Sequence, residues 1–246
     1  MFDLTGKCAL VTGAGQNTGA GIARALAGQG AHVVVNDLVG ERADEVMRSI
    51  EYSGGSAQAL VFDVTDLEAI RTGLESVPPT DILVSNAGNA GAEQMVPQAF
   101  HETAPHSWTA PIEVNLTGVM HGVHATIGHM IDQSWGRIIT ISSGAGTHGV
   151  GIGVAPYSAG KGAGVAFTRS IALENASHGV TANSVAIGLM DNVGDADVVA
   201  ALAGAIPAGR LGNPADVGAA CVYLASDEAA WITGQTIGLN GGQLTS

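Results

Sequence analysis

The sequence predicts an α/β fold: a single-domain, doubly wound parallel sheet of about seven strands with helices on both faces. Three observations carry this. Short β-branched runs alternate with longer helix-compatible stretches along the whole chain, the order that parallel strands joined by helical crossovers produce. Runs such as HVVVND and RIITIS are apolar almost without a break, which suits strands covered on both sides. The 246 residues would bury roughly 70% of their extended surface as one unit, enough for a core without disulfides or metals.

In chain order, the first strand is expected at 7–12, running straight into a glycine-rich turn and a helix near 19–29. Strand 31–36, helix 41–53, strand 57–62, helix 66–76 and strand 81–85 follow. The second half gives a helix at 106–132, strand 137–142, helix 156–178, strand 180–185, helix 214–226 and strand 235–239. Gly- and Pro-rich stretches are short and regularly placed between elements, and there is no repeat. One domain over 1–246 is therefore expected.

Composition narrows the function. The formal net charge is −13, so phosphate backbones and anionic lipid surfaces would repel the chain; nucleic-acid and membrane partners are disfavoured. No apolar run reaches the ~18 residues of a membrane helix. The opening MFDLTGKCALVTG lacks the basic and apolar regions of a signal peptide, and a cytoplasmic protein is expected. Cys8 and Cys221 sit among apolar neighbours, far apart in sequence, and read as reduced core residues. The 36 glycines are about twice the usual ~7%. They cluster at 13–21, 144–153, 160–164 and 234–242, marking places where backbone must approach something closely.

The first cluster lies in TGAGQNTGAGIARALAGQGAHVVVNDL. Thr12, Gly13 and Gly19 fall between strand and helix, where glycines let the backbone approach a pyrophosphate that meets the helix amides. Asp37 ends the next strand. A carboxylate there accepts hydrogen bonds from both adenosine ribose hydroxyls and repels a 2′-phosphate. No Lys or Arg lies in 14–16, although Arg42 follows Asp37; NAD is expected over NADP.

Tyr157 and Lys161 are four residues apart, on one face of a helix that Pro156 suits as a first-turn residue. A phenol with pKa near ~10 transfers protons poorly at neutral pH, and a neighbouring ammonium is expected to lower it. Such a pair serves as a general acid/base. Glycines at 160, 162 and 164 each cost a helix interior ~1 kcal/mol relative to Ala, so close approach to a ligand or another helix is expected.

TGAGQNTG, Ser85-Asn86-Ala87-Gly88, Tyr157-Ser158-Ala159-Gly160-Lys161, Thr233-Gly234-Gln235 and Asn240-Gly241-Gly242 together resemble the short, single-domain branch of the short-chain dehydrogenase/reductase family. The resemblance covers essentially the entire chain. It implies a Rossmann-type sheet with cofactor contacts at Gly13, Gln16, Asn17, Thr18, Gly19, Asp37, Asp63, Val64, Asn86, Ala87, Gly88, Tyr157, Lys161 and Gly188. Asn17 replaces the middle glycine of the family turn, and Asn is the next-best residue at positive φ. Asp63 resembles the residue that binds adenine, although VTDLEAI also makes it a helix-start signal. Asn86 resembles the strand-end asparagine that steadies the sheet. The implied catalytic set is Asn115, Ser143, Tyr157 and Lys161, with Ser142 as the alternative serine; strand alternation allows only one of the two to serve. Asn115 resembles the helix asparagine that holds a water linking the lysine to solvent.

The implied reaction is NAD-dependent interconversion of a secondary alcohol and a ketone, with a small neutral, moderately apolar substrate and a homotetramer or homodimer. Two alternatives stand beside it: reduction of a 3-oxoacyl thioester on acyl carrier protein or coenzyme A, and a dinucleotide-binding regulatory protein without catalysis. Ile187 stands where the family has proline, and Asn192 where a threonine contacts the nicotinamide. Leu189, Met190, Val193, Val150, Ile152 and Val154 are candidates for an apolar pocket wall. His121, His124 and His129 lie on one helix without a carboxylate or cysteine at ligand spacing, so no metal is expected and a subunit contact is the better reading. His148 is a candidate for substrate contact.

Overall fold

Burial on both faces is what the unbroken apolar runs demand, and the sheet supplies it. In the computed structural model, which describes residues 1–89, 95–191 and 196–245, the strands are β1 Cys8–Val11, β2 His32–Asp37, β3 Ser56–Val61, β4 Ile82–Ser85, β5 Gly136–Ser143, β6 Val180–Ile187 and β7 Thr236–Leu239. They form one seven-stranded sheet in the order β3-β2-β1-β4-β5-β6-β7, every neighbouring pair parallel.

Strand alternation splits the side chains between two cores. Val33, Val35, Ile139 and Ile141 face one side, where α1 (Asn17–Gly28), α2 (Gly40–Tyr52) and α9 (Pro214–Ala225) contribute Ile22, Leu26, Val46, Ile50 and Val217. Val34, Leu83 and Ile138 face the other, against Ile70 of α3 (Leu67–Leu74), Val123 and Met130 of α5 (Gly118–Asp132) and Ala172 of α7 (Ala155–Asn175). Cys8 belongs to the second core and Cys221 to the first. Both are free thiols, pushed up to about 12 by burial.

Helix starts follow local chemistry. The Asp66 carboxylate accepts from Glu68 N and Ala69 N, each at 3.0 Å, and caps α3. Asn213 and Asp216 exchange side chain-to-backbone bonds across the first turn of α9, with Pro214 at its start.

The expected helix at 106–132 is not continuous. A 3-10 turn Pro105–Trp108 leads into α4 (Thr109–Ile112), then a π turn Glu113–Thr117, then α5. Asn115 supplies a reason: its Nδ2 donates to the Pro111 carbonyl at 2.7 Å, a side-chain bond that competes with the regular ladder. The structure also adds α6 (Gly144–Thr147) and α8 (Ala196–Ala203). Pairing of Ser143 with Ile187 carries β5 and β6 beyond their expected ends at 142 and 185.

Register places the future site. Val11 pairs with Val35 on one side and Val84 on the other. Thr12, Asn36 and Ser85 therefore emerge together at the carboxyl edge, where chain order reverses between β1 and β4, the usual ligand crevice of such sheets.

Candidate active site

A cleft of about 920 Å³ opens at that edge, lined at one end by Gly13, Asp37 and Asp63 and at the other by Ser143, Tyr157 and Lys161. At the first end the glycine turn is tightly seated. Gly13 adopts φ +61° and Asn17 φ +46°, so Asn17 does take the left-handed conformation expected of it. A Cβ built on Gly19 would lie 2.2 Å from the Gly13 carbonyl, and one on Gly13 2.9 Å from Ala87 Cα; side chains at either place would prise the turn open. Helix α1 begins here with no side-chain cap from Gln16, leaving first-turn amides available to an anion.

Polar side chains from three strand ends hold the turn. Thr12 Oγ1 accepts from Asn86 N at 3.0 Å and Ala87 N at 3.1 Å. Asn86 Nδ2 donates to the carbonyls of Thr12 at 3.0 Å and Gly13 at 2.9 Å. Asn36, which sequence reasoning missed, is buried; its Oδ1 accepts from Gly13 N at 3.4 Å while Nδ2 donates to Leu60 and Phe62 carbonyls at 3.2 and 3.1 Å. Its signal was available: an asparagine inside the otherwise apolar HVVVND.

Asp37 is buried at the end of β2, its carboxylate accepting from Gly15 N at 3.1 Å and Val39 N at 3.0 Å. Arg42 lines the cleft beside it. Asp63 is exposed and lines the cleft with Val64; its Oδ1 accepts from both N and Oγ1 of Thr65 at 2.8 Å. It shapes the turn ahead of α3 but does not cap that helix, since Asp66 does. Gln16, Thr18, Gly88 and Gly188 also line the cleft.

At the other end Ser143 and Ser142 part as alternation requires. Ser142 is buried, its hydroxyl donating to the Lys161 carbonyl at 3.2 Å, whereas half-buried Ser143 caps α6, its Oγ accepting from Ala145 N at 3.2 Å. Lys161 is buried, and its ammonium donates to the Ile141 carbonyl at 2.6 Å. Burial lowers its pKa to about 8. The phenol of Tyr157 departs from expectation. Its pKa lies above the ordinary value because burial disfavours phenolate, an effect partly offset by the Ser143 hydroxyl. One helical turn puts the lysine on the same face, but its long stem carries Nζ to Ile141, 5.9 Å from the phenol ring centroid.

Asn115 is buried and donates to the Asn89 carbonyl at 2.6 Å as well as to Pro111. Its Oδ1 has no partner among the described residues. That oxygen and Lys161 Nζ lie 3.1 and 3.0 Å from the point where a Cβ on Gly88 would stand. Asn115, Lys161 and Gly88 thus converge on one buried polar spot.

The glycines of α7 serve helix packing. A Cβ on Gly160 would lie 2.8 Å from the Pro111 carbonyl, one on Gly162 2.9 Å from the Gly146 carbonyl, and one on Gly164 3.1 Å from the Asn115 carbonyl. Gly160→Ala is expected to lower the melting temperature, because overpacking against backbone costs ~1–3 kcal/mol and outweighs the ~1 kcal/mol helix gain. A rise in melting temperature would show slack between α7 and α4.

Other expected positions divide. Leu189, Met190 and Ile187 line the cleft, Val154 is buried, and Val150 and Ile152 are exposed without lining it. Asn192 and Val193 lie outside the described residues. Nδ1 of His121 faces the Val64 carbonyl at 3.2 Å, Nδ1 of His124 faces Arg71 Nη2 at 3.5 Å, and Nε2 of His129 faces Asp81 Oδ1 at 3.4 Å. His148 meets the Thr147 hydroxyl at 2.9 Å on the exposed loop.

Known proteins resemble this chain in sequence and fold. A family model described as short chain dehydrogenase matches residues 7–201. The 3-oxoacyl-[acyl-carrier-protein] reductase of Escherichia coli is 38% identical, covering 98% of this chain and 98% of its own. A gluconate 5-dehydrogenase of Burkholderia cenocepacia, solved with NADP and tartrate, superposes with a TM-score of 0.89 at 34% identity, over 98% of this chain and 96% of its own. A 3-oxoacyl-[acyl-carrier protein] reductase of Brucella melitensis with bound NAD gives 0.92 at 29% identity, over 99% and 94%. With the glycine turn, the Asn86 brace and the Ser143, Tyr157 and Lys161 cluster at one sheet edge, the match settles the lineage: the chain belongs to the short-chain dehydrogenase/reductase family, oxidoreductases that bind a nicotinamide dinucleotide.

Proposed function

We propose that this protein interconverts a secondary alcohol and a ketone with NAD(H). The observation that carries the reading is that Ser143 and Tyr157 line the same cleft as the glycine turn and Asp37. The cradle at Gly13 and Gly19 and the uncapped start of α1 suit a pyrophosphate. When bound, the dinucleotide supplies the hydride donor or acceptor.

The chain's own groups handle the oxygen and the proton. Ser143 and Tyr157 hold the substrate oxygen between their hydroxyls. In ketone reduction Tyr157 gives its proton to that oxygen; in alcohol oxidation it takes the hydroxyl proton. Lys161 keeps a positive charge near the ring up to about pH 8, favouring the phenolate that proton donation leaves behind. Asn115, whose Oδ1 lies beside Lys161, passes protons outward through water. Burial around Leu189 and Met190 suits a neutral, moderately apolar substrate.

The solved neighbours carry NADP or NAD, so the choice of NAD rests on Asp37, whose buried carboxylate faces the cleft. Fluorescence titration is expected to show NADH binding at least tenfold more tightly than NADPH, about 1.4 kcal/mol. Asp37→Ala should narrow the gap, and equal affinities in the parent protein would overturn the assignment.

A second reading, reduction of a 3-oxoacyl thioester, is favoured by the E. coli relative. The net charge of −13 disfavours an acidic carrier. Among the described residues, Arg42 and Lys161 are the cations lining the cleft. An absorbance screen for NADH formation across secondary, cyclic and aromatic alcohols, beside NADH consumption with acetoacetyl-CoA, separates the two. Turnover confined to the thioester would replace the first reading by the second. Assembly as a homotetramer or homodimer belongs to the same proposal, supported by exposed Leu173 and Trp231; a monomer by light scattering would refute it.

A further inference from the structure

The segment after β7 carries none of the proposed catalytic groups, yet it touches both the cofactor side and the serine side of the cleft. Asn240 folds it into a turn. Its Oδ1 accepts from Gly242 N at 3.0 Å and Leu244 N at 3.4 Å, and its Nδ2 donates to the Leu244 carbonyl at 3.1 Å. Asn240 Cα lies 2.9 Å from where a Cβ on Gly188 would stand. Gly241 accepts from Ala208 N at 3.0 Å. Half-buried Leu244 reaches over buried Gly144, its Cδ1 2.7 Å from a Cβ position there.

Gly144 is the residue after Ser143 and opens α6, a helix of four residues. A single turn has too few internal hydrogen bonds to hold itself in place. Its orientation must come from packing on both sides. On one side Gly146 meets α7, where its Cβ position lies 2.7 Å from Lys161 Cβ; on the other, Leu244 bears on Gly144.

We propose that Leu244 is a positioning residue: fixed by Asn240, it presses α6 against α7 and so holds the Ser143 hydroxyl toward Tyr157 and the substrate oxygen. This rests on the reading of Ser143 and Tyr157 given above. Leucine matters here for its reach and bulk, since it is not among the residues that line the cleft. When the brace is lost, Ser143 swings away and its easing effect on the phenol goes with it.

The test uses the full chain carrying Leu244→Ala, Leu244→Val, Leu244→Met or Ser143→Ala. Ultraviolet difference spectroscopy against Tyr157→Phe isolates the Tyr157 titration, and kcat and the KM for NADH are measured with the best ketone from the panel. Leu244→Ala is expected to raise the Tyr157 midpoint toward that of Ser143→Ala and to lower kcat about tenfold to a hundredfold, with the KM for NADH unchanged. Leu244→Val should give a smaller shift in the same direction, and Leu244→Met should restore both readouts. If Ser143→Ala moves the titration and kcat while Leu244→Ala and Leu244→Val move neither, the brace is refuted and the reading of Ser143 survives. If Ser143→Ala itself changes neither, the reading of the site falls and the brace with it.

Discussion

Lys161→Met is expected to stop turnover and, at pH 7, to raise the melting temperature. The ammonium is buried, and its pKa falls from an ordinary 10.5 to about 8 through desolvation. Keeping it charged at pH 7 costs the native state on the order of 3 kcal/mol. Losing the bond to the Ile141 carbonyl returns about 1 kcal/mol of that, leaving a net gain of about 2 kcal/mol for an apolar side chain of similar length. For a chain of this size that is roughly 4–8 °C. The sign with pH follows from proton counts. Between 8 and 10.5 the unfolded chain holds the lysine proton and the native state has released it, so parent stability rises with pH across that window. Below 8 both states are charged and the full gap remains; above 10.5 it closes. Melts at pH 7 and above 10.5 check this. A variant less stable than the parent at pH 7 would mean that the ammonium is worth more to the fold than its burial costs.

Tyr157→Phe should lower kcat by roughly 10²–10⁴-fold, the contribution of a positioned proton donor, while dinucleotide affinity changes little. Phenylalanine keeps the ring and removes the phenol hydroxyl that meets the Ser143 side chain. Single-turnover hydride transfer and nucleotide titration on the same preparation separate chemistry from binding. A residual rate within tenfold of the parent would assign the proton to another group. A protein that only senses dinucleotides would retain its function in this variant.

The sheet was legible because short, β-branched apolar runs suit strands buried on both faces: HVVVND and RIITIS became β2 and β5. Site residues at strand ends were equally legible, since Thr12, Asp37 and Asn86 fall where an apolar run stops. The break near Asn115 was hidden because a side-chain bond to the Pro111 carbonyl leaves no periodic trace. Spacing was enough to put Lys161 on the face of Tyr157 but could not tell where a four-carbon stem would carry its charge. That destination, the Ile141 carbonyl, is a tertiary fact, as is the burial that raises the phenol pKa. The contact between Gly144 and Leu244 joins residues a hundred positions apart, beyond any local pattern.

The glycine contacts along α7 set a limit on how this protein can change. Backbone oxygens from three neighbouring segments press on positions 160, 162 and 164, so the helix carrying Tyr157 and Lys161 has nowhere to slide or rotate. New substrates would have to be won by rebuilding the surrounding loops, where Val150 and Ile152 are exposed. Selection for altered specificity should therefore collect its changes around 148–153 and beyond 188, and leave the clamped helix untouched.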